Sequence, residues 1–260
     1  MPVFDLHTVS LVFAVALLGG LVGLDRTAVG QIMISQPLVA GPVTGWLLGD
    51  VAAGAVIGSV LELIWVLDLP IGTFVPADAT VAAVSAVAIA VLGGNGKASL
   101  DLIGFSILLT TAMVPVTMLA DEFVRKRNGR LGEAAVAASA ENAARWLARA
   151  QVTGVFVFFL KSFLLCLLVI PAGLAAVVLF THLPGWIHRG MELFVKTLPL
   201  LGAALILHKL SLSAVDRFFL AGFAGALALS FLIPGHPVVV IALIVVAGLA
   251  GVKWWNERNT

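Results

Sequence analysis

Gln36-Pro37-Leu38-Val39-Ala40-Gly41-Pro42 opens a stretch that continues through Gly45-Trp46-Leu47-Leu48-Gly49-Asp50, then Leu61-Glu62, then Pro70-Ile71-Gly72 and Pro76-Ala77-Asp78. Asp50, Glu62, Asp68 and Asp78 stand in it with no Lys or Arg, and almost every neighbour is apolar. An acid without a basic partner is costly inside a membrane and marks a functional site by default. The glycines and prolines break the backbone among these acids. The stretch reads as a polar solute site inside a membrane protein.

Composition agrees. The chain has 260 residues, of which 61% are hydrophobic and 11% charged, with a mean hydropathy of +1.12. A soluble domain carries about 25% charged residues, so an all-α, polytopic integral membrane protein is expected. Apolar segments fall at 8–24, 28–49, 51–68, 79–94, 100–120, 152–180, 190–207, 215–233 and 237–255, which gives eight to nine transmembrane or re-entrant helical segments. Their lengths suit a bilayer core, which takes about 20 helical residues to cross. The first run, Val9 to Leu24, follows no basic region and precedes no small-residue cleavage site, so it is expected to be a retained helix. A net charge of +1 argues against nucleic acid as a partner. The single cysteine, Cys166, allows no internal disulfide and reads as apolar filler. With no Tyr and six Trp, the interfacial aromatic residues must be Trp.

Segment 28–49 differs from an ordinary span. Gln31, Ser35, Gln36, Pro37, Gly41, Pro42, Thr44 and Gly45 would interrupt a helix at several points. Interrupted backbone at membrane depth lines a cavity or is buried in protein, and transporters build substrate sites from such breaks. A re-entrant hairpin over 28–49 is therefore expected. Three regions follow: 1–120 with the hairpin and site motifs, a basic loop at 121–150, and a second membrane region at 151–260. The loop carries Arg125, Lys126, Arg127, Arg130, Arg145 and Arg149, which places it in the cytoplasm by the positive-inside rule. Within it, Leu131 to Gln151 is alanine-rich and expected to be helical. Trp146 and Leu147 suit a membrane surface, a partner protein or a solvated linker helix. Gly45-x3-Gly49 and Gly54-x3-Gly58 present small residues at a spacing that allows close helix contact, read here as internal packing.

Candidate site residues come from the same region. Glu62 and Trp65 are three apart and share a helix face. An acid that accepts sugar hydroxyls beside an aromatic plate is one reading; an acid satisfied by backbone amides or by Ser59 is the other. Asp78 precedes an apolar helix and suits an N-cap, a ligand position, or both. Asp50 suits a cap before Val51. Asp68 ends a helix, where its charge has the unfavourable sign. Asp25-Arg26 suits an internal ion pair. Gln31 and Gln36 offer neutral hydrogen-bonding groups suited to hydroxyls. His208-Lys209 and His236 lie near span ends, where snorkelling explains them. No Walker motif, nucleotide loop or Ser/His/Asp order occurs, so no cofactor is expected and any energy source lies in another protein.

The run from Gln36 to Asp50, together with Gly54-x3-Gly58-x2-Leu61-Glu62 and Ile71-Gly72-x5-Asp78, resembles the membrane C subunit (IIC) of the mannose/fructose/sorbose family of phosphotransferase systems. The motif block covers residues 20–90. The resemblance implies an elevator-type sugar permease of a bacterial inner membrane that pairs with a D subunit (IID) in a higher oligomer. It also implies cytoplasmic A and B proteins that carry the phosphoryl group, so that no residue of this chain is phosphorylated. The acids shared with the family fall at Asp25, Glu62 and Asp78; Pro70 stands where mannose-type members carry an asparagine. Two other readings compete: a non-transporting scaffold or sensor that docks phosphocarriers, and an ion-coupled carrier working alone, which the lack of a base paired to the acids disfavours.

Overall fold

A computed structural model describes residues 5–65, 68, 75–136, 143–210 and 225. Pro70, Ile71, Gly72, His236 and the segments 215–233 and 237–255 lie outside them, as do the side chains of His208 and Lys209. The chain divides into two compact units, Met1–Ile206 and Leu207–Thr260, and helices α1 to α7 belong to the first.

The described elements are all helical: α1 (Leu6–Leu24), α2 (Pro37–Leu48), α3 (Val51–Trp65), α4 (Ala79–Gly93), α5 (Leu100–Ala112), α6 (Val114–Val136), α7 (Ala143–Thr181) and α8 (Gly185–Leu210). Asp5 caps α1 by accepting from the Thr8 amide at 2.8 Å, and this bond holds the exposed carboxyl below the usual carboxylate range. Helices α1 and α7, of 19 and 39 residues, are long and apolar enough to cross a bilayer. Helix α5 and the part of α6 up to Ala134 pass the same test together, across a bend of 43°. Helices α2, α3 and α4 have 12, 15 and 15 residues. At 1.5 Å per residue they reach about 18–23 Å, short of a hydrocarbon core of about 30 Å.

A helical hairpin occurs here, with other bounds than the expected segment 28–49. It is α2 and α3 joined at Gly49-Asp50, over residues 37–65. Pro37 starts α2, where its missing N–H costs nothing. The helix then runs through Pro42, giving up the N–H that would have met the Leu38 carbonyl. The irregular backbone falls instead at residues 25–36. There Gly30, Gln31 and Met33 have φ of 85°, 53° and 70°, a left-handed run that L residues seldom adopt.

Two glycine pairs bring α2 and α3 together. A Cβ on Gly41 would lie 2.5 Å from the Gly54 carbonyl oxygen, and one on Gly58 would meet the Pro37 carbonyl oxygen. A Cβ on Gly45 would meet the Asp50 carbonyl and lie 3.1 Å from the Gly54 Cα. Gly49 plays a different part: at φ 86° it ends α2, and a Cβ there would meet nothing within 4 Å. The packing seam is thus Gly41/Gly45 against Gly54/Gly58, and Gly49 is the turn. Asp50 caps α3 by accepting from the Ala53 amide at 3.1 Å, and its second oxygen accepts from Ala98 at 3.1 Å.

Helix α4 is central. Every residue from Thr80 to Val91 is buried, and the helix contacts α1, α2, α3, α5 and α7. Its Ala- and Val-rich sequence has no charge and no polar face, as a helix packed on all sides requires. One core joins α3 and α4 to α5 and α8 through Ile57, Leu61, Val87, Ile107 and Leu198. Another joins α1 and α4 to α7 through Val15, Val84, Ile170 and Leu174. Cys166 is buried in the second, where it accepts from the Ser85 hydroxyl at 3.8 Å. Trp46, Trp146 and Trp186 are exposed, as interfacial aromatic residues are. The stretch predicted helical from Leu131 is helical up to Val136 and again from Ala143.

Candidate functional site

The end of α1, the 25–36 loop and the starts of α2 and α4 are joined by hydrogen bonds that run through Asp25. The carboxylate is buried and accepts from the Ile32 amide at 2.7 Å, the Ser35 amide at 3.1 Å and the Ser35 hydroxyl at 3.1 Å. One short side chain thereby organises the left-handed run, which needs such external fixing to persist. The Ser35 carbonyl in turn accepts from the Thr80 hydroxyl at 2.8 Å, which pins the loop to the first turn of α4. Asp25 is therefore not the partner of Arg26, as the sequence suggested. Its lone pairs are taken by backbone and serine donors, and Arg26 turns to Asp78.

Glu62 faces the start of α2. Its Oε2 accepts from the Leu38 amide at 3.3 Å, so an acid on α3 serves one of the free N–H groups of α2. The amide-satisfied reading of Glu62 thus holds, while the residue is only half-buried and keeps a second carboxylate oxygen. Gln36 occupies the N-cap of α2 without a capping bond from its side chain and is half-buried. Gln31 is exposed on the loop. Trp65 is half-buried and packs on the core of α3, α4, α5 and α8. Around the loop, Val29, Ile32 and Met33 are exposed.

Asp78 caps α4 by accepting from the Val81 amide at 3.2 Å. The same carboxylate has cationic partners, which corrects the expectation of an unpaired acid. Lys161 of α7 donates to its Oδ2 at 2.7 Å, and Arg26 approaches Oδ1 at 3.4 Å. Lys161 also donates to Asp121 of α6 at 2.8 Å, and Asp121 accepts from Arg125 at 2.6 Å. Five charges thus alternate in the order Arg26, Asp78, Lys161, Asp121, Arg125. The central three side chains are no more than 8% exposed, so the ions are hidden from solvent and compensate one another. Lys161 and Asp121 escaped the sequence reading of the site. The available signal was that Lys161 is the only charged residue between positions 152 and 180, where a lone charge needs a partner.

Short broken helices, spans of bilayer length and a buried polar junction define a polytopic membrane protein with a polar site at its helix breaks. Residues 7–249 match the EII-Sor family, described as the sorbose-specific IIC component of the phosphotransferase system (PTS), and the chain belongs to that family. It is 26% identical over 219 residues to the PTS sorbose-specific EIIC component of Klebsiella pneumoniae, covering 82% of this chain and 80% of the relative. It is 30% identical over 82 residues to the putative N-acetylgalactosamine permease IIC component 2 of Escherichia coli (strain K12), covering 32% of this chain and 61% of the relative. Two solved structures share the fold. A chain described as a membrane protein gives a TM-score of 0.73 at 21% identity, covering 99% of this chain and 100% of that one. A chain of the mannose transporter ManYZ in complex with microcin E492 gives 0.55 at 20% identity, covering 97% and 96%. The chain is an integral membrane protein and a sugar-specific IIC permease component of the mannose/sorbose family.

Proposed function

We propose that this chain is the sugar-translocating subunit of a phosphoenolpyruvate-dependent phosphotransferase system in a bacterial inner membrane. It binds a hexose-type sugar, carries it inward by an elevator-type movement and delivers it to a cytoplasmic B protein for phosphorylation. A D subunit completes the permease in a higher oligomer, and an A protein supplies the phosphoryl group. The exposed Val29, Ile32 and Met33 beside the loop suit coverage by the D subunit. The basic helices around Arg125 to Arg149 suit the cytoplasmic side.

The observation that carries this reading is the meeting of Glu62 with the start of α2, in a chain that matches the IIC family over nearly its whole length. A helix N-terminus, a carboxylate with a spare oxygen and the uncommitted Gln36 amide offer both donors and acceptors, which is what a ring of hydroxyls requires. In this proposal Glu62, Gln36, Gln31 and Trp65 contact the sugar, and Asp25 and Asp78 shape the backbone that carries them. Membranes containing this chain with its D, B and A partners test it, through phosphoenolpyruvate-dependent uptake and phosphorylation of a labelled hexose panel, one component omitted at a time. Sugar phosphate that forms only with this chain present is the expected result. Glu62→Ala should abolish uptake while the protein still inserts. Wild-type uptake by that variant removes Glu62 from the site, and no product with any sugar from an assembled complex rejects the transport role in favour of a scaffold or sensor.

A further inference from the structure

We propose that Lys161 is a positioning residue for transport, the cation that fixes the start of α4 and the 31–36 loop against α6 and α7. The inference rests on the permease reading above for its link to transport, and on geometry alone for the fixation itself. Lys161 lies nine residues into the apolar run that begins at Val152. That depth is about 14 Å along a helix, close to the middle of a hydrocarbon core of about 30 Å. A lysine there is retained only where its charge is used.

Its use is visible in the partners. The ammonium joins Asp78, 83 residues away in sequence, to Asp121, 40 residues away. Asp78 holds the first turn of α4, where the neighbouring Thr80 donates to Ser35, and Ser35 donates to Asp25. The loop that carries Gln31 and Gln36 is therefore anchored, through two short hydrogen-bonded steps, to a residue that is itself anchored by Lys161. Neutralising the acids would not require this arrangement. Arg26 already faces Asp78, and Arg125 already faces Asp121, so each carboxylate has a cation without Lys161. What Lys161 adds is the tie between them: one ammonium in reach of both acids, on a third helix.

That separation of neutralising from tying gives the test. Lys161→Met leaves two buried carboxylates facing each other across an apolar side chain. Lys161→Met combined with Asp121→Asn removes one charge of each sign and leaves the Asp78–Arg26 pair in place. Each is made with Cys166→Ser and Ala77→Cys, a buried position next to Asp78, so that the new thiol is the only one. Maleimide labelling in membranes and sugar uptake by the assembled complex are then measured. Both variants should label at least about tenfold faster than the Lys161 parent, the scale of one charge-assisted hydrogen bond lost to local opening. The double variant should regain expression yet transport at least about tenfold more slowly at saturating sugar, with the half-saturating concentration unchanged. Wild-type labelling or wild-type transport by the double variant overturns the proposal, since Lys161 would then serve only to balance charge. Should Lys161→Met fail to assemble, the charge-balanced variant carries the comparison. Should the unmodified complex transport no sugar, the permease reading fails, while the labelling still decides whether Lys161 fixes the start of α4.

Discussion

Where α2 meets α3, the contact is backbone on backbone, through Gly41, Gly45, Gly54 and Gly58. Where α7 meets the start of α4 on one side and α6 on the other, Lys161 adds a contact of charge on charge, to Asp78 and to Asp121. The first needs the absence of side chains, so that two carbonyl-lined surfaces come within van der Waals reach. The second needs the presence of three ionic groups in a place where none is tolerated alone. A short hairpin cannot reach across a bilayer and gains its hold from shape; the junction beside it gains its hold from a small number of directed bonds. The two contacts should therefore fail in different ways.

The largest effect is expected at the ionic contact. Lys161→Met should lower the unfolding free energy by about 3–5 kcal/mol, because it removes two buried charge-assisted hydrogen bonds worth about 1.5–3 kcal/mol each. The thermal unfolding midpoint of the purified protein in detergent measures it, and adding Asp121→Asn should recover part of the loss. A single variant as stable as the parent would mean that the junction is open to water. Next comes the steric contact. A Cβ on Gly54 would meet the Gly41 carbonyl and lie 3.1 Å from the Gly45 Cα. Gly54→Val should accordingly cost about 2–3 kcal/mol as the helices are forced apart, and no second substitution that alters charge should relieve it. Relief by Asp121→Asn would show that the two contacts are coupled rather than distinct.

Smaller effects sharpen the contrast within the hairpin. Asp50→Ala removes the acceptor for both Ala53 and Ala98 and should cost about 1–2 kcal/mol. Gly49→Ala should cost about 1 kcal/mol, from the left-handed backbone alone, because there is room for the methyl group. Thermal midpoints for Gly49→Ala and Gly45→Ala side by side are the most direct check. Two glycines from one small-residue motif should differ, with Gly45→Ala the worse, because only Gly45 faces a neighbouring backbone.

Much of this was legible from residue order. The apolar segments at 8–24, 51–68, 79–94 and 152–180 match α1, α3, α4 and the core of α7, since apolar length is a local property of the chain. The small-residue spacing announced the hairpin contact, although Gly49 proved to be its turn. The helix break lies elsewhere than the Pro and Gly residues suggest, because either residue can also stand at a helix start or within a helix. Pro37 instead begins α2 and Pro42 lies inside it, while the break falls in a loop gathered around Asp25. Asp25-Arg26 looked like a pair because the two are adjacent, yet adjacent side chains diverge, and each found its partner elsewhere.

By itself, the sequence determined that this protein lives in a membrane, that helix breakers gather between Gln36 and Asp78, and that it resembles the IIC subunits of the mannose/fructose/sorbose family. Apolar runs, helix breakers and motif spacing all act over a few turns, so residue order is enough to read them. Which charges compensate which was decided only by the tertiary structure. Asp78, Lys161 and Asp121 are separated by 40 residues or more and meet because α7 packs against both α4 and α6. An ion pair depends on distance in space, and a buried one depends also on what excludes the water. Neither is written in the order of the residues.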